Sequence, residues 1–146
     1  MPVSQSQSVF EKLKASGFRL TKTRKDLVEF ILAHRGHWTI QSLAAEVQEK
    51  IKGVGVATIY RTVSLLQRQN FLTETQMRDG GARYEVASKA HHDHFVCLRC
   101  QRIFEFENDK IETLQKEVAK KLGFTLLDHR MELYGECNRA GCKPKN

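Results

Sequence analysis

Four cysteines in two local pairs constrain this chain more than any other feature. Cys97 and Cys100 form a C-x-x-C knuckle, Cys137 and Cys142 form a C-x4-C pair, and 36 residues separate the pairs. Four thiolates at this spacing suit a tetrahedral zinc site, because each short loop brings two sulfurs to one metal at little ordering cost. Such a site is structural, pinning the end of the chain to the first knuckle, with Zn2+ as the expected cofactor. A redox C-x-x-C would stand between a strand and a helix start, and it would leave Cys137 and Cys142 without a role. Disulfides are not expected either. The first 30 residues hold no apolar run long enough for a signal peptide or an anchor, and no window approaches a membrane span. The expected setting is the cytoplasm, with no membrane partner, where thiols stay reduced.

Just ahead of the first knuckle, residues 90–100 read AHHDHFVCLRC. Successive side chains of a strand point to opposite faces. If residues 91–94 are extended, His92 and His94 face one way and His91 and Asp93 the other. One segment then serves two further metal sites, one on each side. Each needs ligands from elsewhere, and the remote candidates are His34, His37, His129, Glu85 and Glu112. If His37 joins Glu85, His92 and His94, a metal ties the N-terminal half to the C-terminal half. His34 reads as an ordinary residue at a helix end. Nitrogen and oxygen donors suit Fe2+, Mn2+ or Zn2+ alike.

Charge is uneven along the chain. There are 24 Lys and Arg against 17 Asp and Glu, a formal net charge of +7. Residues 1–86 carry net +5 and residues 87–146 net +2, and Lys12 to Lys25 includes six basic residues and no acidic one. Such a field favours polyanions, nucleic acid first. Phe10 and Leu13 predict a short helix over residues 9–15, ended by Gly17. Thr21 or Thr23 caps a second helix with Leu27, Phe30, Ile31 and His34 inward, stopped at Gly36. Ile40, Leu43, Ala44 and Val47 predict a third over residues 40–50.

Residues 57–71, ATIYRTVSLLQRQNF, predict a helix with two distinct faces. At about 100° per residue, Ile59, Val63, Leu66 and Asn70 share one face. Ala57, Arg61, Ser64 and Arg68 share the other, with Tyr60 beside them. A slim face with hydroxyls and forked donors is what a helix in a major groove needs, so Ala57, Thr58, Tyr60, Arg61, Ser64 and Arg68 are the candidate DNA contacts. Strands over residues 72–77 and 82–86 flank RDGG, whose Asp-Gly pair is a hairpin signal. Helices followed by a two-stranded ribbon give the winged-helix order, with Arg78 and Arg83 placed where a wing meets phosphates. A hinge is expected over residues 87–90. Beyond it come strands over residues 93–97, 102–107 and 124–134, a helix carrying Ile111, Leu114, Val118 and Leu122 and ended by Gly123, and a disordered tail at residues 143–146. The expected fold class is α+β, with a winged-helix DNA-binding domain at residues 1–86 and a small α/β metal-binding domain at residues 91–146.

GVATIYRTV at residues 55–63, HHDHFVCLRC at residues 91–100 and YGECNRAGC at residues 134–142 together resemble the ferric uptake regulator family. GGARYEV and DHRMELYG agree, so the likeness runs over nearly the whole chain. The resemblance implies a dimeric, metal-sensing repressor that binds double-stranded operator DNA, with a C-terminal dimerisation domain; assembly to a tetramer stays open. It implies a regulatory site of His37, Glu85, His92 and His94 that takes Fe2+, with Mn2+ or Zn2+ as alternatives. It implies a second site of His91, Asp93, Glu112 and His129, and a structural zinc site at the four cysteines. Tyr60 and Arg61 match base-reading positions, and Arg19 matches a basic residue that reaches the minor groove. Peroxide sensors that resemble this chain often carry Asp in place of Glu85, and zinc sensors usually depart from the HHDH pattern, which favours an iron sensor. Peroxide-, zinc- and manganese-sensing members are the alternatives. Two rivals lie outside the family. A metalloenzyme would leave the basic N-terminal half idle, and the chain holds neither an HExxH motif nor an evident nucleophile paired with a base. A zinc-ribbon RNA-binding module would bind single strands without a regulatory metal.

Overall fold

Local capping chemistry starts two of the N-terminal helices. The structure is a computed structural model that describes residues 3–78, 80–88 and 90–143, with side chains from residue 7 onward. The chain divides into two compact units, Met1–Ser88 and Lys89–Asn146. In the first, α1 (Val3–Ala15) begins earlier than expected, since neither Gly nor Pro interrupts residues 3–8. The hydroxyl of Thr21 accepts the Arg24 N–H and opens α2 (Lys22–Ala33). Thr39 and Ser42 exchange side-chain to backbone hydrogen bonds of 3.0 and 3.1 Å, a capping box that opens α3 (Ile40–Lys50).

The fourth helix, α4 (Val56–Arg68), starts at Gly55 with no side-chain cap and buries Ile59, Thr62, Val63, Leu65 and Leu66. Thr62 satisfies its buried hydroxyl by donating to the Thr58 carbonyl at 2.8 Å. Asn70 does not share this face as the periodicity suggested. The helix has already ended, and Asn70 sits at φ 59, a left-handed conformation that Asn tolerates better than most residues. Its N–H reaches the Gln67 carbonyl at 2.9 Å and the Phe71 N–H reaches the Leu66 carbonyl at 2.8 Å, the pattern of a Schellman stop.

That stop turns the chain directly into β1 (Leu72–Gln76), which pairs antiparallel with β2 (Ala82–Val86), Leu72 opposite Val86. Asp79 of the expected turn lies outside the described residues, as do Lys89 of the expected hinge and residues 144–146 of the expected tail. Trp38 makes an isolated antiparallel bridge to Tyr84, with backbone hydrogen bonds of 2.8 and 3.0 Å and stacked rings. Leu13, Leu27, Val28, Ile31, Leu43, Val47, Ile59, Val63 and Leu66 are fully buried among these elements. Three helices and a two-stranded wing, preceded by α1, make this unit a winged helix.

The second unit is α/β. It contains β3 (Asp93–Cys97), β4 (Ile103–Phe106), α5 (Asp109–Lys121) and β5 (Glu132–Gly135). The sheet order is β4-β3-β5, with β4 antiparallel and β5 parallel to the central β3. Asn108 caps α5 by accepting the N–H groups of Lys110 and Ile111. The strand expected over residues 124–134 forms only at its end. Pairing begins where His94 meets Glu132, and among the described residues nothing pairs with residues 124–131 as a ladder neighbour. No side chain of α5 is buried. Among the described residues no helix is long and apolar enough to cross a membrane.

Candidate metal centres and nucleic-acid interface

The sheet delivers the four cysteines to one place. Cys97 ends β3, Cys100 lies in the turn towards β4, and Cys137 and Cys142 follow β5. Their sulfurs pair as Cys97–Cys142 at 3.7 Å and Cys100–Cys137 at 4.0 Å, and all four converge within 4.8 Å. Tetrahedral zinc with bonds of about 2.3 Å needs sulfurs about 3.8 Å apart, so the donor set fits that ion. The backbone N–H groups of Cys100 and Cys137 donate to Cys97 Sγ at 3.5 and 3.3 Å and hold its thiol down at about 6. The Arg102 guanidinium, 3.5 Å from Cys100 Sγ, lowers that thiol too. Cys142, crowded by the Cys137 side chain and by burial, is pushed up to about 12. A dication held here would take up the thiolates and release the Cys142 proton.

On one side of the segment ahead of β3, four donors converge. His91 Nε2 lies 3.4 Å from both Asp93 Oδ1 and Glu112 Oε1. His129 Nε2 lies 3.4 Å from Asp93 Oδ1 and 3.2 Å from Glu112 Oε1. Asp93 Oδ1 and His129 Nε2 are buried with no hydrogen-bond partner among the described residues. Ligands held about 2.1 Å from one ion stand about 3.0–3.4 Å apart, so an ion among these four atoms would satisfy both orphaned groups. Glu112 comes from the first turn of α5, and His129 from the segment before β5 that forms no strand.

The remaining four candidates come from both units. In the first, His37 Nε2 stands 3.3 Å from Glu85 Oε2, and both side chains are nearly buried. The Trp38–Tyr84 bridge causes this, because in an antiparallel pair residue 37 then lies opposite residue 85. In the second, the His92 and His94 rings meet edge-on at 5.1 Å. His94 is buried and pairs in register with Glu105 of β4 and Glu132 of β5. Paired residues share a sheet face. Burial pushes Glu132 up, but hydrogen bonds from Tyr134 and Arg130 outweigh it and hold the carboxyl below its ordinary range. Two carboxylates therefore flank His94 and favour a cation there. Sequence reasoning missed Glu105; the available signal was one carboxylate between Phe104 and Phe106 in an otherwise apolar strand.

The outer face of α4 is open. Ala57, Tyr60, Arg61, Ser64 and Arg68 are exposed and Thr58 is half-buried. Tyr60 Oη accepts from Gln41 Nε2 at 3.3 Å. Arg61 and Arg68, with Arg24 and Phe18 from the α1–α2 region, line a concavity of ≈ 550 Å³. Arg19 is exposed in the α1–α2 loop, Arg78 is exposed beside the wing turn and Arg83 is half-buried on β2.

Comparison with known proteins gives one family. Residues 15–134 match the ferric uptake regulator family. The ferric uptake regulation protein of Campylobacter jejuni is 40% identical over 138 residues, covering 91% of this chain and 88% of that protein. The Helicobacter pylori ferric uptake regulator, whose structure reveals three functional metal binding sites, superimposes with a TM-score of 0.81 at 30% identity, covering 90% of this chain and 88% of that one. A zinc-bound manganese uptake regulator gives a TM-score of 0.72 at 34% identity, over 87% of this chain and 96% of its own.

Proposed function

The chain belongs to the ferric uptake regulator family of metal-responsive regulators, which are not enzymes, and from that premise we propose that it is a cytoplasmic homodimeric repressor that binds operator DNA when Fe2+ fills its regulatory site. The observation that carries this reading is the buried His37–Glu85 pair at the base of the wing. It supplies two donors from the unit that presents α4, and His92 and His94 supply two from the other unit. Closing these four residues around one ion would fix the angle between the units. The dimer would then hold two α4 helices at the spacing of two half-sites, and its two-fold symmetry would match a palindromic operator.

In this reading Arg61 and Tyr60 meet base edges, Ala57, Thr58 and Ser64 let the helix approach, and Arg68, Arg78 and Arg83 contact phosphates. Arg19 enters the adjacent minor groove. Cys97, Cys100, Cys137 and Cys142 hold Zn2+ and keep the second unit folded. His91, Asp93, Glu112 and His129 form a second metal site that ties α5 to the sheet. Three candidate clusters among the described residues agree in number with the three functional sites described for the H. pylori protein. Likeness to a manganese uptake regulator and a nitrogen and oxygen donor set make Mn2+ or Zn2+ sensing the second reading.

A coupling of about 3 kcal/mol between metal and DNA changes operator affinity about 150-fold. The test is fluorescence anisotropy of the zinc-retaining protein on an AT-rich palindromic duplex, with a scrambled duplex as control. Fe2+ is titrated anaerobically, then Mn2+ and Zn2+, at fixed salt. Palindrome-specific binding with Fe2+ or Mn2+, lost in His94→Ala, is the expected result. Specific binding with trace Zn2+ alone makes the protein a zinc sensor, and no metal response on any duplex overturns the reading.

A further inference from the structure

We propose that Arg24 is a positioning residue for DNA binding, clamping the loop between α1 and α2 so that Arg19 meets the duplex beside α4. The proposal rests on the DNA-binding reading above and adds a residue to it. The first turn of α2 contains Lys22, Arg24 and Lys25 and no acidic side chain. Positive charge at a helix N-terminus opposes the helix dipole, so helix stability does not account for these residues. Arg24 differs from its neighbours in what it touches. Its Nη1 donates to the Arg19 carbonyl at 2.8 Å, its guanidinium lies 5.0 Å from the centre of the Phe18 ring, and its backbone N–H donates to Thr21 Oγ1 at 3.3 Å. Its side chain thus holds two positions of a six-residue connection, Phe18 and Arg19, while the Thr21 bond is the helix cap that any backbone N–H there makes.

The α1 end of that connection is already closed. Ser16 Oγ donates to the Leu13 carbonyl at 2.8 Å, Gly17 turns at φ +82, and the Phe18 N–H reaches the Leu13 carbonyl at 3.0 Å. Arg24 closes the other end, while the Arg19 side chain stays exposed. Loop and helix border the same concavity, where Gly17, Phe18 and Arg24 stand with Arg61, Ser64 and Arg68. Fixing the loop therefore fixes where the Arg19 charge stands relative to the reading face of α4. A planar guanidinium stacks on a ring and donates in its plane in one fixed geometry, whereas an ammonium is a point charge with no plane to stack. Arg24→Lys keeps the charge and loses the clamp.

The experiment compares unaltered full-length metal-loaded protein with Arg24→Lys, Arg19→Ala and the double variant. It reads thermal unfolding, exchange of the Phe18 amide by NMR without DNA, and affinity for the palindromic duplex. Arg24→Lys is expected to leave the unfolding temperature unchanged, to speed Phe18 exchange about tenfold, and to weaken operator binding about tenfold. In the Arg19→Ala background Arg24→Lys should weaken binding no further. Unchanged Phe18 exchange, or weakening by the two substitutions that multiplies, would overturn the clamp and make Arg24 a direct phosphate contact. If Arg19→Ala binds like unaltered protein while Arg24→Lys still loosens the loop, the role in DNA binding is overturned. Failure of the unaltered protein to bind any duplex sinks the proposed function and this proposal together, an outcome distinct from the other two.

Discussion

Cys97 accepts two backbone N–H groups and pairs with Cys142, so in the proposed function Cys97→Ser removes both a zinc ligand and the acceptor that organises the knuckle. Structural zinc contributes about 10–16 kcal/mol in small zinc peptides, as much as the whole stability of an ordinary domain. Cys97→Ser is therefore expected to lose its zinc and unfold the second unit while the winged helix stays folded. Zinc content and a two-step thermal melt check this. Arg61→Ala should do the opposite, keeping both metals and the melt but costing about 1–3 kcal/mol of operator affinity if the guanidinium reads a base. The cysteine cluster was legible in the sequence because each pair is local and only two loops had to meet. The alternation of residues 91–94 was legible too, since His91 and Asp93 do converge while the His92 and His94 rings meet. The contact between His37 and Glu85 entered the sequence reading only as a condition for a metal to tie the two halves, and the family resemblance then implied it. Its cause is the Trp38–Tyr84 bridge, a long-range pairing that leaves no periodic mark on either segment.

The end of α4 shows how an element's boundary is made. Asn70 supplies the left-handed residue between the helix and β1, and β-branched side chains resist that conformation by about 1–2 kcal/mol. Asn70→Val is expected to lower stability by about 1 kcal/mol or more and Asn70→Gly to leave it equal or higher, as read by thermal unfolding of the first unit. Both should spare the exposed reading face, because Asn70 lies past the C-cap. Caps explain why the helices were readable. Thr21 is one of the two caps expected for α2, Thr39 directly precedes the start expected for α3, and both act within three residues. The strand expected over residues 124–134 had apolar, β-prone residues, and most of it formed no strand. Alternation states which residues would suit a sheet, but a ladder needs a neighbour, and β3 offers one only from His94 onward.

Two copies of the chain would resolve what one copy leaves exposed. Leu114, Val118, Leu122, Phe124 and Leu127 are 59, 54, 68, 72 and 92% exposed, and several of them line a concavity of ≈ 830 Å³ between α5 and the segment that follows it. Contiguous apolar surface on this scale marks an interaction site, and in the proposed function that site is the dimer interface. A charge placed there has no partner and loses its hydration on association. Val118→Glu with Leu122→Glu is accordingly expected to yield monomers by sedimentation, with the zinc content unchanged because neither residue touches the cysteine cluster. The consequence for DNA follows from linkage. A dimer engages its second half-site as an intramolecular event, and losing that advantage costs about 10²–10⁴ in operator affinity. The monomer should also show about half the dependence of log affinity on log salt, since it meets about half the phosphates. A variant that stays dimeric, or a monomer that binds the palindrome as tightly as unaltered protein, would place the dimer interface elsewhere and remove the α5 face from the mechanism.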